Sequence, residues 1–125
     1  MIHHVSLEVR PDDAEALLGL FEILGYLRVA PPLGLEEGLW LERSGTQVHL
    51  LRCDDPNVPR RGHLATVVDD FEACLARVEA AGHRVGRRRA YWGAPRALVE
   101  APGGHLVELM AAPPDPGVPL SGPVN

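Results

Sequence analysis

Lysine is absent from the 125 residues, and all twelve basic side chains are arginine. That excludes an imine-forming lysine, a pyridoxal phosphate linkage and the lysine of a phosphate-binding P-loop. Cysteine is nearly absent: Cys53 and Cys74 stand alone, without Cys-x-x-Cys spacing. They are expected to be reduced thiols of a cytoplasmic protein rather than a disulfide framework. Positive charge is in deficit as well, with a net charge of −5 and a pI near 5.6. No global positive field draws the chain to nucleic acid or to an anionic membrane surface, so neither is expected as a partner. No run approaches about 18 consecutive apolar residues, the length that would cross a bilayer. Met1-Ile2-His3-His4-Val5 shows no basic region leading into an apolar stretch, so no signal peptide is expected. What remains is 46% hydrophobic and 23% charged, the composition of one ordinary globular domain.

Apolar and polar residues alternate at Val5, Leu7 and Val9, which predicts a strand over 3–9. Pro11-Asp12-Asp13 opens a helix carrying Ala14, Leu17, Leu18, Phe21 and Leu24, and Gly25 closes it. A strand over 26–29 follows. After the break at Pro31-Pro32-Leu33-Gly34, strands over 39–43 and 46–52 flank the turn Ser44-Gly45. The segment 54–59 reads as a linker. The order then repeats: a strand over 63–68, a helix capped by Asp69-Asp70 and carrying Phe71, Cys74, Leu75 and Val78, and a strand over 84–88. Strands over 96–100 and 105–110 complete it around Pro102-Gly103-Gly104. One domain over 1–112 is expected. Its first βαβββ module spans 1–53 and its second 60–112, and a proline-rich tail over 113–125 lies loose or drapes a partner. The predicted class is α+β, with tandem βαβββ modules forming a cupped mixed sheet and helices on its outer face.

An offset of 59 residues superposes the halves: His4 on His63, Val9 on Val68, Leu39 on Leu98, Gly45 on Gly104, Val48 on Val107 and Leu50 on Leu109. At the same offset His49 falls on Glu108. Each half thus carries one potential ligand on its first strand and another on its last. Two modules related by a pseudo-twofold would gather His4, His49, His63 and Glu108 about one point. Three imidazoles and one carboxylate suit a borderline divalent metal such as Zn, Ni, Fe(II), Co or Mn, one ion per site. Glu108 stands between Val107 and Leu109. A carboxylate buried there needs a cation. His3 and His105 have the opposite strand parity and His83 follows a helix, so these three are expected at the surface. The arginines at 84, 87, 88 and 89 read as a solvated strand edge.

His4-Val5-Ser6-Leu7-Glu8-Val9, Gln47-Val48-His49-Leu50, the stretch from Gly62 to Asp70 and Pro102-Gly103-Gly104-His105-Leu106-Val107-Glu108-Leu109 together resemble the vicinal oxygen chelate superfamily. That group holds glyoxalase I, bleomycin-resistance proteins, extradiol dioxygenases, methylmalonyl-CoA epimerase and fosfomycin-resistance enzymes. The resemblance covers residues 2 to 112. It implies one divalent metal held in a cup made by two modules and bound to two neighbouring oxygens of a small-molecule substrate. His4, His63 and Glu108 match ligand positions of the glyoxalase I pattern. His49 departs from it, since a glutamate stands there in glyoxalase I and a glutamine in the epimerase.

Three activities fit these residues. The first is a metal-dependent lyase, isomerase or epimerase in which His49 or Glu108 moves a proton. The second is an Fe(II)-dependent extradiol-type dioxygenase, served by two histidines and one carboxylate. The third is a metal-free binding protein of the bleomycin-resistance kind, which has no need of a complete ligand set. Trp40 and the loop residues Tyr91 and Trp92 are expected to wall the substrate. A homodimer is expected. The modules can pair within a chain or by exchange between two chains; the linker, stiffened by Pro56 and Pro59, leaves room for exchange, in which His4 and His49 of one chain would meet His63 and Glu108 of another.

Overall fold

The computed structural model describes residues 1–121; the last four residues of the predicted tail lie outside the described residues. In chain order the elements are β1 (His4–Val9), α1 (Pro11–Ile23), β2 (Leu27–Val29), β3 (Leu39–Arg43), β4 (Thr46–Arg52), β5 (His63–Val67), α2 (Phe71–Ala80), β6 (Arg84–Arg88), β7 (Arg96–Glu100) and β8 (Leu106–Met110). A single 3-10 turn, Pro102–Gly104, joins β7 to β8. The two halves are tandem βαβββ modules. They build sheets of order β1-β4-β3-β2 and β5-β8-β7-β6. In each, the first and last strands of the module run parallel and the rest are antiparallel.

Local chemistry accounts for the boundaries. Pro11 starts α1 where its missing N–H costs nothing, and Asp12 and Asp13 sit against the positive helix end. Ser44 and Gly45 both take positive φ, 50° and 83°, the conformation that a two-residue hairpin turn requires. Asp70 departs from the expected side-chain cap. It occupies the N-cap of α2 with φ 45° and makes no side-chain cap bond, and Asp69 instead accepts from Arg43 Nη2 at 3.3 Å.

One apolar core joins both modules. Leu17, Leu18 and Phe21 of α1 and Leu75 and Val78 of α2 are buried with Leu41, Val48, Leu50, Val99, Val107 and Leu109 of the sheets. Cys74 is buried among them, as its helical position predicted. Polar ties cross between the halves. Tyr26 Oη and Thr66 Oγ1 lie 3.0 Å apart and buried, and Arg43 Nη1 donates to the Val67 carbonyl. The linker is pinned to β1 and the residue after it: Asn57 N donates to Glu8 Oε1 at 2.7 Å and Arg10 Nη1 to the Asp54 carbonyl at 2.6 Å.

His105 overturns the surface expectation. It is only 4% exposed and its Nε2–H donates to the Glu8 carbonyl at 2.6 Å. His105 has the parity of Val107 and Leu109, both buried, so the alternation that takes it off the face of Glu108 turns it toward the core and the Glu8 carbonyl of the first module. The arginine edge is solvated as expected, with Arg84, Arg87, Arg88 and Arg89 all exposed; Arg84 pairs with Glu100 at 3.6 Å and Arg87 with Glu72 on the surface.

Candidate metal centre in two half-sites

β1 and β4 bring His4 and His49 together. The register sets Ser6 opposite His49 and His4 opposite Gln47, so both imidazoles project from one face. Their rings stack at a centroid distance of 4.2 Å. Trp40, directly opposite His49 across the β3–β4 ladder, lies flat on the other side at 3.8 Å and 5°. The far half is built alike. His63 Nε2 stands 4.0 Å from Glu108 Oε1, on the parallel pair β5–β8.

Each imidazole has one nitrogen engaged. His49 Nε2–H donates to Gln47 Oε1 at 2.8 Å, and Gln47 Nε2 donates in turn to Glu42 Oε1 at 2.9 Å. This chain fixes the proton of His49 on Nε2 and leaves the Nδ1 lone pair. His63 Nδ1–H donates to the Arg61 carbonyl at 2.9 Å, leaving Nε2 as the lone-pair nitrogen toward Glu108. His4 Nδ1 lies 3.0 Å from His3 Nδ1, and its Nε2 is a lone-pair nitrogen in the tautomer in which His4 is the donor. One engaged and one available nitrogen, as at His49 and His63, is the arrangement that metal-ligating histidines adopt. The donor set therefore fits a borderline divalent ion.

Within one chain these residues form two pairs rather than a cluster of four. Among the described residues no group of three or more His, Cys, Asp or Glu side chains is close enough to hold one ion. A cavity of about 560 Å³ opens on the first pair, lined by His4, His49, Trp40, Leu51 and the loop from Gly34 to Gly38. Tyr91 and Trp92 instead lie against the Arg96 guanidinium, at 5.5 Å and 5.8 Å, with Trp92 Nε1–H donating to the Ala112 carbonyl at 2.8 Å.

The cation that buried Glu108 needs is Arg96, whose Nη1 donates to Glu108 Oε1 at 2.6 Å. Sequence reading missed it, although a signal was available. Leu98 faces Glu108 and Arg96 faces Met110 across the β7–β8 hairpin, so Arg96 shares the carboxylate's face. Gln47 and Glu42, which orient His49, were likewise missed.

Burial lowers the pKa of His49 from its ordinary value near 6.5, and the imidazoles of His4 and His3 add to the effect. The unfolded chain thus binds a proton at His49 that the folded chain refuses. Folding stability at this residue is present above about pH 6.5 and is lost as pH falls from there toward the lowered pKa. Urea midpoints should drop between pH 7.5 and pH 5 in the metal-free protein, and drop less in His49→Gln. Equal drops in the two proteins would remove His49 as the cause.

A family profile described as the glyoxalase/bleomycin resistance protein/dioxygenase superfamily matches residues 3–109. No curated protein matches the chain. Solved structures similar to it include a glyoxalase family protein from Bacillus anthracis, with 23% identity, TM-score 0.77 and coverage of 88% of this chain and 93% of that one. The oxidase ChaP-H2 follows at 21% identity and TM-score 0.71, covering 92% and 95%. The fosfomycin resistance protein FosX from Listeria monocytogenes has 18% identity and TM-score 0.70, covering 90% and 91%. At these identities the likeness speaks for the fold, and the profile match over nearly the whole chain for the family. The chain belongs to the glyoxalase/bleomycin resistance protein/dioxygenase superfamily.

Proposed function

We propose that the protein is a divalent-metal-dependent enzyme of the glyoxalase type, a lyase, isomerase or epimerase acting on a small substrate with two neighbouring oxygens. The observation that carries this reading is two paired half-sites, His4 with His49 and His63 with the buried Glu108, in which His49 and His63 each keep one lone-pair nitrogen. His4, His63 and Glu108 would hold the ion, with His49 completing the set. A bound divalent ion would polarise the substrate oxygens and ease loss of a neighbouring proton.

The chain's own residues do the rest. His49 has one lone pair, on Nδ1, which either completes the ligand set or, where His4, His63 and Glu108 hold the ion without it, serves as the base, with Nε2–H anchored on Gln47 Oε1 and the Glu42 carboxylate behind it. That chain holds the ring in one tautomer and favours the protonated imidazole as it forms. The low pKa keeps His49 neutral, and so able to accept, at neutral pH. Glu108 is the second proton carrier. Trp40 walls the cavity on the His49 side, and Tyr91 and Trp92 wall the other.

Two half-sites that stay apart within one chain support a homodimer in which chains exchange halves. β1 and β5 are both open sheet edges. His4, Ser6, His63 and Ala65 are exposed on them, as strands awaiting cover by a partner would be. The shared core and the buried Tyr26–Thr66 contact oppose a rearrangement that would join the pairs within one chain.

A second reading has its own support. Trp40 and Gln47 both occupy His49, and a site without it would leave two histidines and one carboxylate, the donor set of Fe(II) oxygen chemistry. Elemental analysis of the purified protein, followed by assay of 2-oxoaldehyde–thiol adducts, acyl-CoA epimers and catechols with each metal, decides between them. Proton-transfer turnover with Zn, Ni, Co or Mn supports the first reading. Oxygen uptake on catechols with Fe(II) alone supports the second. Purification without metal and failure to take any up would sink both.

A further inference from the structure

We propose that Arg96 is a resident cation at the second half-site, which a metal ion at Glu108 must share with or displace, and that this couples metal occupancy to the Tyr91–Trp92 loop. The inference rests on the metal reading above. Arg96 Nη1 sits 2.6 Å from Glu108 Oε1, the same oxygen that lies 4.0 Å from His63 Nε2. The guanidinium therefore occupies the carboxylate oxygen that a shared ion would use. The side chains of Arg96 and Glu108 are 16% and 9% exposed, so solvent screens the contact poorly. Without metal, the pair leaves no bare charge in the sheet. With metal, a dication and a guanidinium compete for one carboxylate and repel each other.

The same guanidinium is tied to the loop. Arg96 Nε–H donates to the Arg89 carbonyl at 2.8 Å. Its guanidinium carbon lies 5.5 Å from the Tyr91 ring and 5.8 Å from the Trp92 ring, within cation–π range. A guanidinium drawn off Glu108 cannot keep all three contacts, so the loop must respond. The first half has no equivalent device. At the 59-residue offset Arg96 falls on Glu37, a loop residue beside the cavity.

The test titrates Zn(II) into the purified full-length protein against a chromophoric chelator, using wild type, Arg96→Gln, Arg96→Lys and Glu108→Gln. Removing the competing charge in Arg96→Gln should tighten binding about tenfold or more, while Arg96→Lys, which keeps it, should stay within about threefold of wild type. Equal or weaker binding by folded Arg96→Gln overturns the inference. If Glu108→Gln meanwhile loses the metal, the metal reading survives that failure. If Glu108→Gln binds as wild type does, the metal reading itself falls. A second readout needs no change at Arg96: the emission of Trp92, taken as wild type minus Trp92→Phe, should shift as Zn(II) fills the site. Unchanged emission at full occupancy overturns the coupling, whether or not Arg96→Gln folds.

Discussion

Glu108→Ala protein reconstituted with divalent metal should lose most of its bound ion, against about one equivalent per chain in wild type. Glu108 is the single carboxylate of the proposed four donors, so its loss leaves three neutral imidazoles facing a dication. Substituting residues that merely support a metal ligand costs about 10–100-fold in affinity, and loss of the anionic ligand itself should exceed about 100-fold. Stability should fall too, because Arg96 is left half-buried without its partner. Removing one member of a fully buried ion pair costs about 3–5 kcal/mol, and the partial exposure of Arg96 brings the loss below that range. Glu108→Gln separates the two effects. The amide oxygen still accepts from Arg96 and spares much of the stability, while the missing charge still removes the metal. Elemental analysis beside urea denaturation reads both, and full metal retention by folded Glu108→Ala would remove this residue from the site.

The two modules were legible in the sequence because their signals are local. Period-two alternation at Val5, Leu7 and Val9, helical spacing from Ala14 to Leu24, and Ser44-Gly45 each concern residues that fold against near neighbours. The 59-residue symmetry then carried the reading from elements to a donor set, since it singled out His4, His49, His63 and Glu108 without any contact being known. The misses depend on neighbours set by tertiary structure. His105 is buried by a carbonyl 97 positions away in the chain, on the core face that it shares with Val107 and Leu109. Asp69 was lost as a cap to Arg43 of the other module. Arg96 and Gln47 sit nearer to their partners, one hairpin or two residues away. Strand register would have found them, had the need of a buried carboxylate for a cation been pursued along its own sheet face. No local pattern could show that the four donors would divide into pairs, because that follows from how the modules pack on a shared core.

That division makes the second large effect a matter of stoichiometry. His4→Ala and Glu108→Ala proteins should each be devoid of a complete site, yet an equimolar mixture allowed to re-equilibrate should regain metal. If chains exchange halves, His4 and His49 of the Glu108→Ala chain meet His63 and Glu108 of the His4→Ala chain. One site of the mixed dimer is then whole, and the other lacks two donors. Random pairing makes about half of the dimers mixed, so about a quarter of the wild-type sites should return under twofold symmetry. Sites built within single chains would return none, since every chain in the mixture carries a defect. Native mass spectrometry counts the mixed dimers, and zinc analysis of the same sample counts the sites. Mixed dimers with no recovered metal would refute exchange. A chain that sediments as a monomer at micromolar concentration would refute the dimer, and with it the exchange that would bring His4 and His49 to His63 and Glu108.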